Sequence, residues 1–233
     1  MSLKIFDEIL KSKLKHLQYH PNYLPHIGKD YETIKTKTFV IAESHYLPSY
    51  YNNKFSAEEW YNNHELIYTT LSLKKDNAKG WFNTRGVIDD YQSPSPLSAG
   101  HRIFLNLEIA FKELHSDRNL FEECVYLYYF QRPAEIQGDS IKIQKIDSKI
   151  ALENLLVLID VLQPHKIIFV SSKAHEDFLQ NTTESEREKL PYVGSVPHPS
   201  ASSWWNRKSP KYGLKGQSAT GKEKFLRIMK PKI

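Results

Sequence analysis

Two short stretches of this 233-residue chain gather side chains able to do acid, base and donor chemistry: Ala42-Glu43-Ser44-His45-Tyr46 and His198-Pro199-Ser200. In the first, a carboxylate, a hydroxyl and an imidazole stand within three residues, enough to orient water or to activate a nucleophile. In the second, an imidazole beside a hydroxyl can donate to a carbonyl, provided its other ring nitrogen fixes the tautomer. Each stretch also has a purely structural reading. Glu43, Ser44 and His45 can form a polar loop that caps a following helix, and His198 between two prolines can be a rigid turn.

Apolar, β-branched runs precede both stretches. Thr38 to Ala42 (TFVIA) and Tyr192 to Val196 read as short strands, as do Glu123 to Phe130 (ECVYLYYF) and Lys166 to Val170 (KIIFV). Helical spacing covers about residues 2 to 18, Leu97 to Leu114, Ser148 to Leu162 with Pro164 stopping it, and Ser171 to about Leu179. Residues 47 to 95 are rich in aromatic, Asn and Pro residues; short helices are expected around Ala57 to Leu71, with a turn near Gly80. Strands alternating with helices predict an α/β fold. It is a three-layer α/β/α arrangement whose short, mainly parallel sheet places ligands at the carboxyl ends of its strands. The expected organisation is one domain over 1–233, with an N-terminal helical extension over 1–35 and a basic C-terminal segment over 206–233.

At these residues the chain resembles the uracil-DNA glycosylase superfamily. The first motif of that family follows the first strand, in one branch ending in Pro-Tyr and in another reading Gly-Glu-Ala-Pro-Gly; its second follows the last strand as His-Pro-Ser. Glu43 falls where the Glu-bearing branch has its Glu, Tyr46 where the other branch has its Tyr, and His198-Pro199-Ser200 matches outright. The order of elements agrees over about residues 36 to 205. The resemblance implies a uracil-DNA glycosylase-like fold and hydrolysis of the N-glycosidic bond of a damaged or deaminated base flipped out of DNA, without metal or organic cofactor.

By the same resemblance, His198 is the donor to a base carbonyl. Glu43 orients water or stabilises the cationic sugar, Tyr46 walls the pocket against bulkier bases, and Ser200, Ser202 and Ser203 contact phosphate. Trp204 and Trp205 sit where the family carries its duplex-wedging loop, with Arg207 and Lys208 beside them. The departures are Ala42 for the family's Gly, Ser44 for its catalytic Asp and His45 for its Pro. Tyr128 and Tyr129 occupy the neighbourhood of the family's base-reading Asn, leaving Gln131 as a substitute. Two other readings stay open: a non-catalytic binder of nucleic acid or nucleobase on the same fold, and a small-molecule hydrolase using Ser44, His45 and Glu43. The tryptophan pair can equally seal a core edge.

Composition narrows the classes further. The single cysteine, Cys124, excludes an internal disulfide, a Cys-based zinc site and a four-cysteine cluster, and reads as an inert buried thiol. No apolar run is long enough to span a membrane, and charge is interspersed from the first residues, arguing against a secretory signal and for a cytoplasmic monomer. The net charge of +5 favours polyanions. From Trp204 onward Arg207, Lys208, Lys211, Lys215, Lys222, Lys224, Arg227, Lys230 and Lys232 face only Glu223. His16 and His20 have metal-ligand spacing but no third ligand, and read as surface histidines. Neither a GxSxG elbow nor a P-loop is present.

Overall fold

A computed structural model describes residues 3–72, 78–94, 101–214 and 217–230. Five strands form one mixed sheet: β1 (His26–Ile27), β2 (Thr38–Ala42), β3 (Cys124–Tyr128), β4 (Lys166–Phe169) and β5 (Tyr192–Ser195), in the order β1-β3-β2-β4-β5. The four strands expected from the sequence run parallel. The two-residue β1, which has no apolar run to signal it, pairs antiparallel with β3. Ala42 pairs Tyr128, Ile41 pairs Phe169 and Phe169 pairs Ser195, so all four parallel strands end at nearly the same level. The loops after β2, β4 and β5 therefore leave one edge of the sheet.

The helices are α1 (Leu3–Lys13), α2 (Lys15–Tyr19), α3 (Ala57–Asn62), α4 (His64–Ser72), α5 (Thr84–Gln92), α6 (Arg102–Lys112), α7 (Leu120–Glu123), α8 (Lys145–Leu162), α9 (Ser172–Gln180), α10 (Glu184–Glu188), α11 (Ser202–Trp205) and α12 (Gly221–Met229). The helix expected over 2 to 18 is broken at Leu14, whose backbone is extended. Part of the helix expected from Leu97 falls outside the described residues. Along β2 the side chains alternate between two cores. Phe39 and Ile41 join Leu10, Leu17, Leu155 and Phe178 on one face, whereas Val40 and Ala42 join Phe104, Phe121, Trp204 and Phe225 on the other. Helices thus cover both faces, which is why these strands read as continuous apolar runs. Among the described residues no helix is long and apolar enough to cross a membrane.

Two buried polar systems brace the first core. Arg132 and Asp147 form a forked pair, Nε to Oδ1 at 2.7 Å and NH2 to Oδ2 at 2.9 Å, with Asp147 wholly buried. Glu135 and the Lys142 carbonyl take further guanidinium protons, Tyr61 donates to Asp147, and Asp147 also accepts from the Gln144 N–H at the start of α8. The helix consequently begins at Lys145 rather than Ser148. The second system corrects the reading of His16 and His20 as surface residues. His20 is buried against Trp60, whose carbonyl lies 2.9 Å from Nε2, and His16 meets the side chain of Gln131 at 3.3 Å. Burial pushes both rings from the ordinary 6.5 to about 4 and His45 to about 3.

Replacing Asp147 with Ala leaves a guanidinium buried with one carboxylate fewer and should cost about 3–5 kcal/mol in a denaturant titration; a loss under about 1 kcal/mol contradicts the bracing role. The half-buried His16 ring and the buried rings of His20 and His45 are neutral in the fold and free to charge in the unfolded chain. The unfolded state then binds more protons, so stability should fall as pH drops from about 6.5 toward 4, by up to about 1.4 kcal/mol per pH unit for each ring. Urea midpoints measured between neutral pH and pH 4 check this, and a flat profile refutes it.

Candidate functional site

The strand order reverses direction around β2: the chain goes from β2 to β3 on one side, then returns to β4 on the other. The crevice outside the carboxyl ends at such a switch point is where open α/β sheets take ligands. Glu43 stands there. Its Oε2 accepts from the Ser171 hydroxyl at 2.9 Å and its Oε1 accepts from the Ile141 N–H at 3.1 Å. Ser171 follows β4 and caps α9, its oxygen accepting the Ala174 N–H at 3.2 Å while its proton goes to Glu43. One hydroxyl thus links a helix N-terminus, whose dipole favours negative charge, to the carboxylate.

His198 follows β5, two strand spacings or about 10 Å from β2. Its ring is exposed at the edge, and its Nδ1 accepts the Ser200 N–H at 3.2 Å. A ring nitrogen that accepts carries a lone pair, so the proton of the neutral imidazole sits on Nε2 and faces outward as a donor. Desolvation by surrounding protein lowers the His198 pKa below the ordinary value, and the charge of Glu43 acts in the opposite direction. The loops that carry the acid and the imidazole leave the same edge of the sheet. The loop bearing His198 is held from two sides. Asn106 on α6 donates to the Pro199 carbonyl at 2.8 Å, and Gly221 at the start of α12 lies so close to Pro197 that a Cβ there would stand 2.3 Å from the proline ring.

Tyr46 stands partly open beside Glu43, whose charge, after desolvation, raises its hydroxyl pKa. Half-buried Tyr128 ends β3 nearby, its pKa pushed up to about 12 chiefly by burial. Ser200 and Ser202 are exposed, Ser203 and Trp205 half-buried, and Arg207 and Lys208 exposed. The structure thus brings Glu43, Tyr46, Tyr128, His198 and Ser200 to one edge.

Other predicted site residues are not there. His45 is buried between Tyr23 and Tyr128, its ring centroid 5.2 and 3.7 Å from theirs, with Nε2 3.1 Å from the Thr84 hydroxyl. It is a core histidine and no base for Ser44, whose own hydroxyl has no hydrogen-bond partner among the described residues. Gln131 is buried as well: it donates to the carbonyls of Tyr128 and Tyr129 and meets His16, so it braces the strand exit and reads no ligand edge. Trp204 is fully buried, 5.7 Å from the Phe225 ring, and closes the second core rather than wedging into a duplex. Within the basic segment, α12 packs Phe225 and Ile228 inward, and Lys222 is occupied by Glu113 and the Trp205 ring. Lys215 and Lys232 lie outside the described residues.

Sequence reasoning missed Ser171, which read only as a helix opener, and the N–H of Ile141. It also missed Asn106, and the contact of His101 with Asp90 at 2.6 Å on neighbouring helices. The serine was findable as the first polar residue after the KIIFV strand; the others depend on a chain reversal and a helix face that no local pattern marks. An open groove of about 980 Å³ between α3 and α8 holds none of the predicted residues. Its two hydroxyls are committed, Ser56 capping α3 and Ser148 bonding Asp177.

Nitrogen-detected NMR of the imidazole rings checks the arrangement. His198 should appear as the Nε2–H tautomer at neutral pH and protonate below the ordinary histidine range, and an Nδ1–H ring with ordinary titration contradicts the geometry. No family model matches this chain, and no curated protein matches it.

Proposed function

We propose that the chain removes a damaged or deaminated base from DNA by N-glycosidic hydrolysis, as its sequence resemblance to the uracil-DNA glycosylase superfamily implies, on a fold of that kind. The observation that carries this reading is the Ser200 N–H bond to His198 Nδ1, which leaves Nε2 to carry the proton as a donor at the same strand edge that holds Glu43. As the bond from the base nitrogen to the sugar carbon breaks, its electron pair passes to the base and positive charge grows on the sugar. A donor aimed at a base carbonyl stabilises that growing negative charge without giving up its proton. Water then adds to the sugar carbon, and its proton ends on the released base.

Glu43 fits the sugar side of this reaction. Each of its oxygens already accepts one hydrogen bond and keeps a further lone pair for water. Its carboxylate is held in place by Ser171 and Ile141, so little reorganisation is needed when positive charge develops. Tyr46, partly open to solvent, offers a flat ring on which a nucleobase can pack. Exposed Arg207 and Lys208, following the His198 loop, suit phosphates on either side of the base. DNA is the proposed partner.

A second reading, a nucleobase or nucleic-acid binder without turnover, is favoured by one feature. Ser44 stands where the family has its catalytic Asp, and its hydroxyl has no basic partner among the described residues.

Oligonucleotides carrying uracil, hypoxanthine or oxidised bases separate the two. His198→Ala should lower the single-turnover rate of base release by about 10²- to 10³-fold while DNA affinity stays nearly intact. Base release from none of these substrates by the unaltered protein, with DNA still bound, refutes excision and leaves the binder.

A further inference from the structure

The open edge of the sheet, along β5, gathers basic side chains from helices on both of its faces. His175 lies in the first turn of α9 and Lys224 in the first turn of α12, with Arg227 one turn further on; α9 packs into one core and α12 into the other. Lys211, in the 3-10 turn Pro210–Tyr212, bridges the gap between them. Tyr212 ties the group together: the Lys224 ammonium lies 5.9 Å from its ring centroid and its carbonyl accepts from Arg227. These basic groups act on one another, and His175 is pushed toward its neutral form. After desolvation, Lys211 and Arg227 lower the pKa of Lys224, and Lys224, Lys211 and Arg187 lower that of His175.

The acids that reach this group do not balance it. Glu176 is 3.8 Å from Lys211, but both side chains are more than half exposed, so the pair is weak. Glu223 feels Lys208 and Arg227, yet it is engaged in capping α12 through the Thr220 N–H at 2.6 Å. Like charges held together at a surface suit an anion that comes with its own repeat of charge. The aromatic neighbours narrow the class. Tyr192 at the start of β5 is 45% exposed, its ring set against Gly194, where a Cβ would meet it at 2.9 Å. Cations beside aromatic side chains, Lys224 over the Tyr212 ring among them, fit a nucleic-acid strand, whose phosphates pair with such cations.

The patch is continuous with the crevice. β5 runs straight into Pro197 and His198, Gly221 of α12 abuts Pro197, and Ser171 ahead of α9 bonds Glu43. Both helices therefore begin at the edge that holds the candidate site, placing Lys224 and His175 about one 5.4 Å turn from it. We propose that the β5 edge is a strand-binding track: Lys211, Lys224 and Arg227 hold the sugar-phosphate backbone of a nucleic acid whose neighbouring base enters the crevice at His198. This rests on the reading of that crevice as a nucleobase site.

The test is the salt dependence of binding to a lesion-free single-stranded DNA oligonucleotide, read by fluorescence anisotropy. Lys211→Gln with Lys224→Gln should reduce the slope of log affinity against log salt by about 1.4, at about 0.7 per lost phosphate contact, and Lys211→Arg with Lys224→Arg should restore it. The same charge removed elsewhere, by Lys4→Gln with Lys35→Gln on α1 and the loop before β2, should leave the slope unchanged. An equal drop in the control pair, an unchanged slope in the patch variant, or binding to phosphatidylserine vesicles without binding to the oligonucleotide overturns the proposal. Base release is scored separately. If the unaltered protein excises a base and the patch variant keeps its slope, only the track falls. If the slope drops as expected and no lesion is excised, the track stands and the catalytic reading falls.

Discussion

A guanidinium buried with its carboxylates holds the rest of the candidate site in register. Arg132 fixes the segment between β3 and α8 by binding Asp147 and Glu135 and by donating to the Lys142 carbonyl. That segment turns back across the carboxyl ends of the strands and delivers the Ile141 N–H to Glu43. Lys173 grips the same residue through the Ile141 carbonyl at 2.8 Å, so the reversal is pinned to α9 as well. An ion pair this deep contributes little net stability against an apolar substitute of the same shape, because desolvating both charges costs nearly what their attraction returns. Its effect is positional: the fork geometry admits few arrangements of the chain, and the one adopted carries a backbone donor to the acid of the site.

Around that anchor, the two residues the proposed chemistry needs most, Glu43 and His198, are held by different means. Glu43 is fixed by its own side-chain bonds, to a hydroxyl on β4's exit and to a backbone N–H. His198 is fixed through its loop, by Asn106 on the outside, by the close seat of α12 on Pro197, and by the backbone N–H of Ser200 on its ring. The first arrangement resists displacement of a charge; the second sets which nitrogen bears the proton. Both are donor arrangements formed before any ligand arrives, the condition under which fixed dipoles act most strongly on developing charge.

Much of the fold was legible because its strongest signals are local. TFVIA, CVYLY and KIIF each carry the apolar continuity that burial on both faces demands, whereas the run from Tyr192 is half-exposed at the edge of the sheet; each is a strand. The parallel arrangement followed from the helices between them. Polar residues were harder to place. His16, His20, His45 and Gln131 have the types of surface or site residues, and each is held by a partner distant in sequence, Gln131, Trp60, Thr84 and His16, with His16 half-buried and the other three buried. Trp204 has the type of a stacking residue, and only the return of α12, which no periodic run before Gly213 announces, supplies the Phe225 that covers it. Contacts made by tertiary folding between polar groups leave no trace in spacing, which is why Ser171 and Ile141 emerged only with the chain in three dimensions.

One absent methyl group has a reach beyond its own position. With hydrogen alone at Gly221, the last helix can rest on the proline that immediately precedes His198, and Lys166 secures that helix at its far end by donating to the carbonyls of Ile228 and Lys230 at 2.7 and 3.0 Å. The end of the chain is thereby a splint along the side of the sheet, clamped at the bottom by an ammonium and wedged at the top under the imidazole loop. Whatever loosens that splint is transmitted to the tautomer-bearing turn through the contact of Gly221 with Pro197.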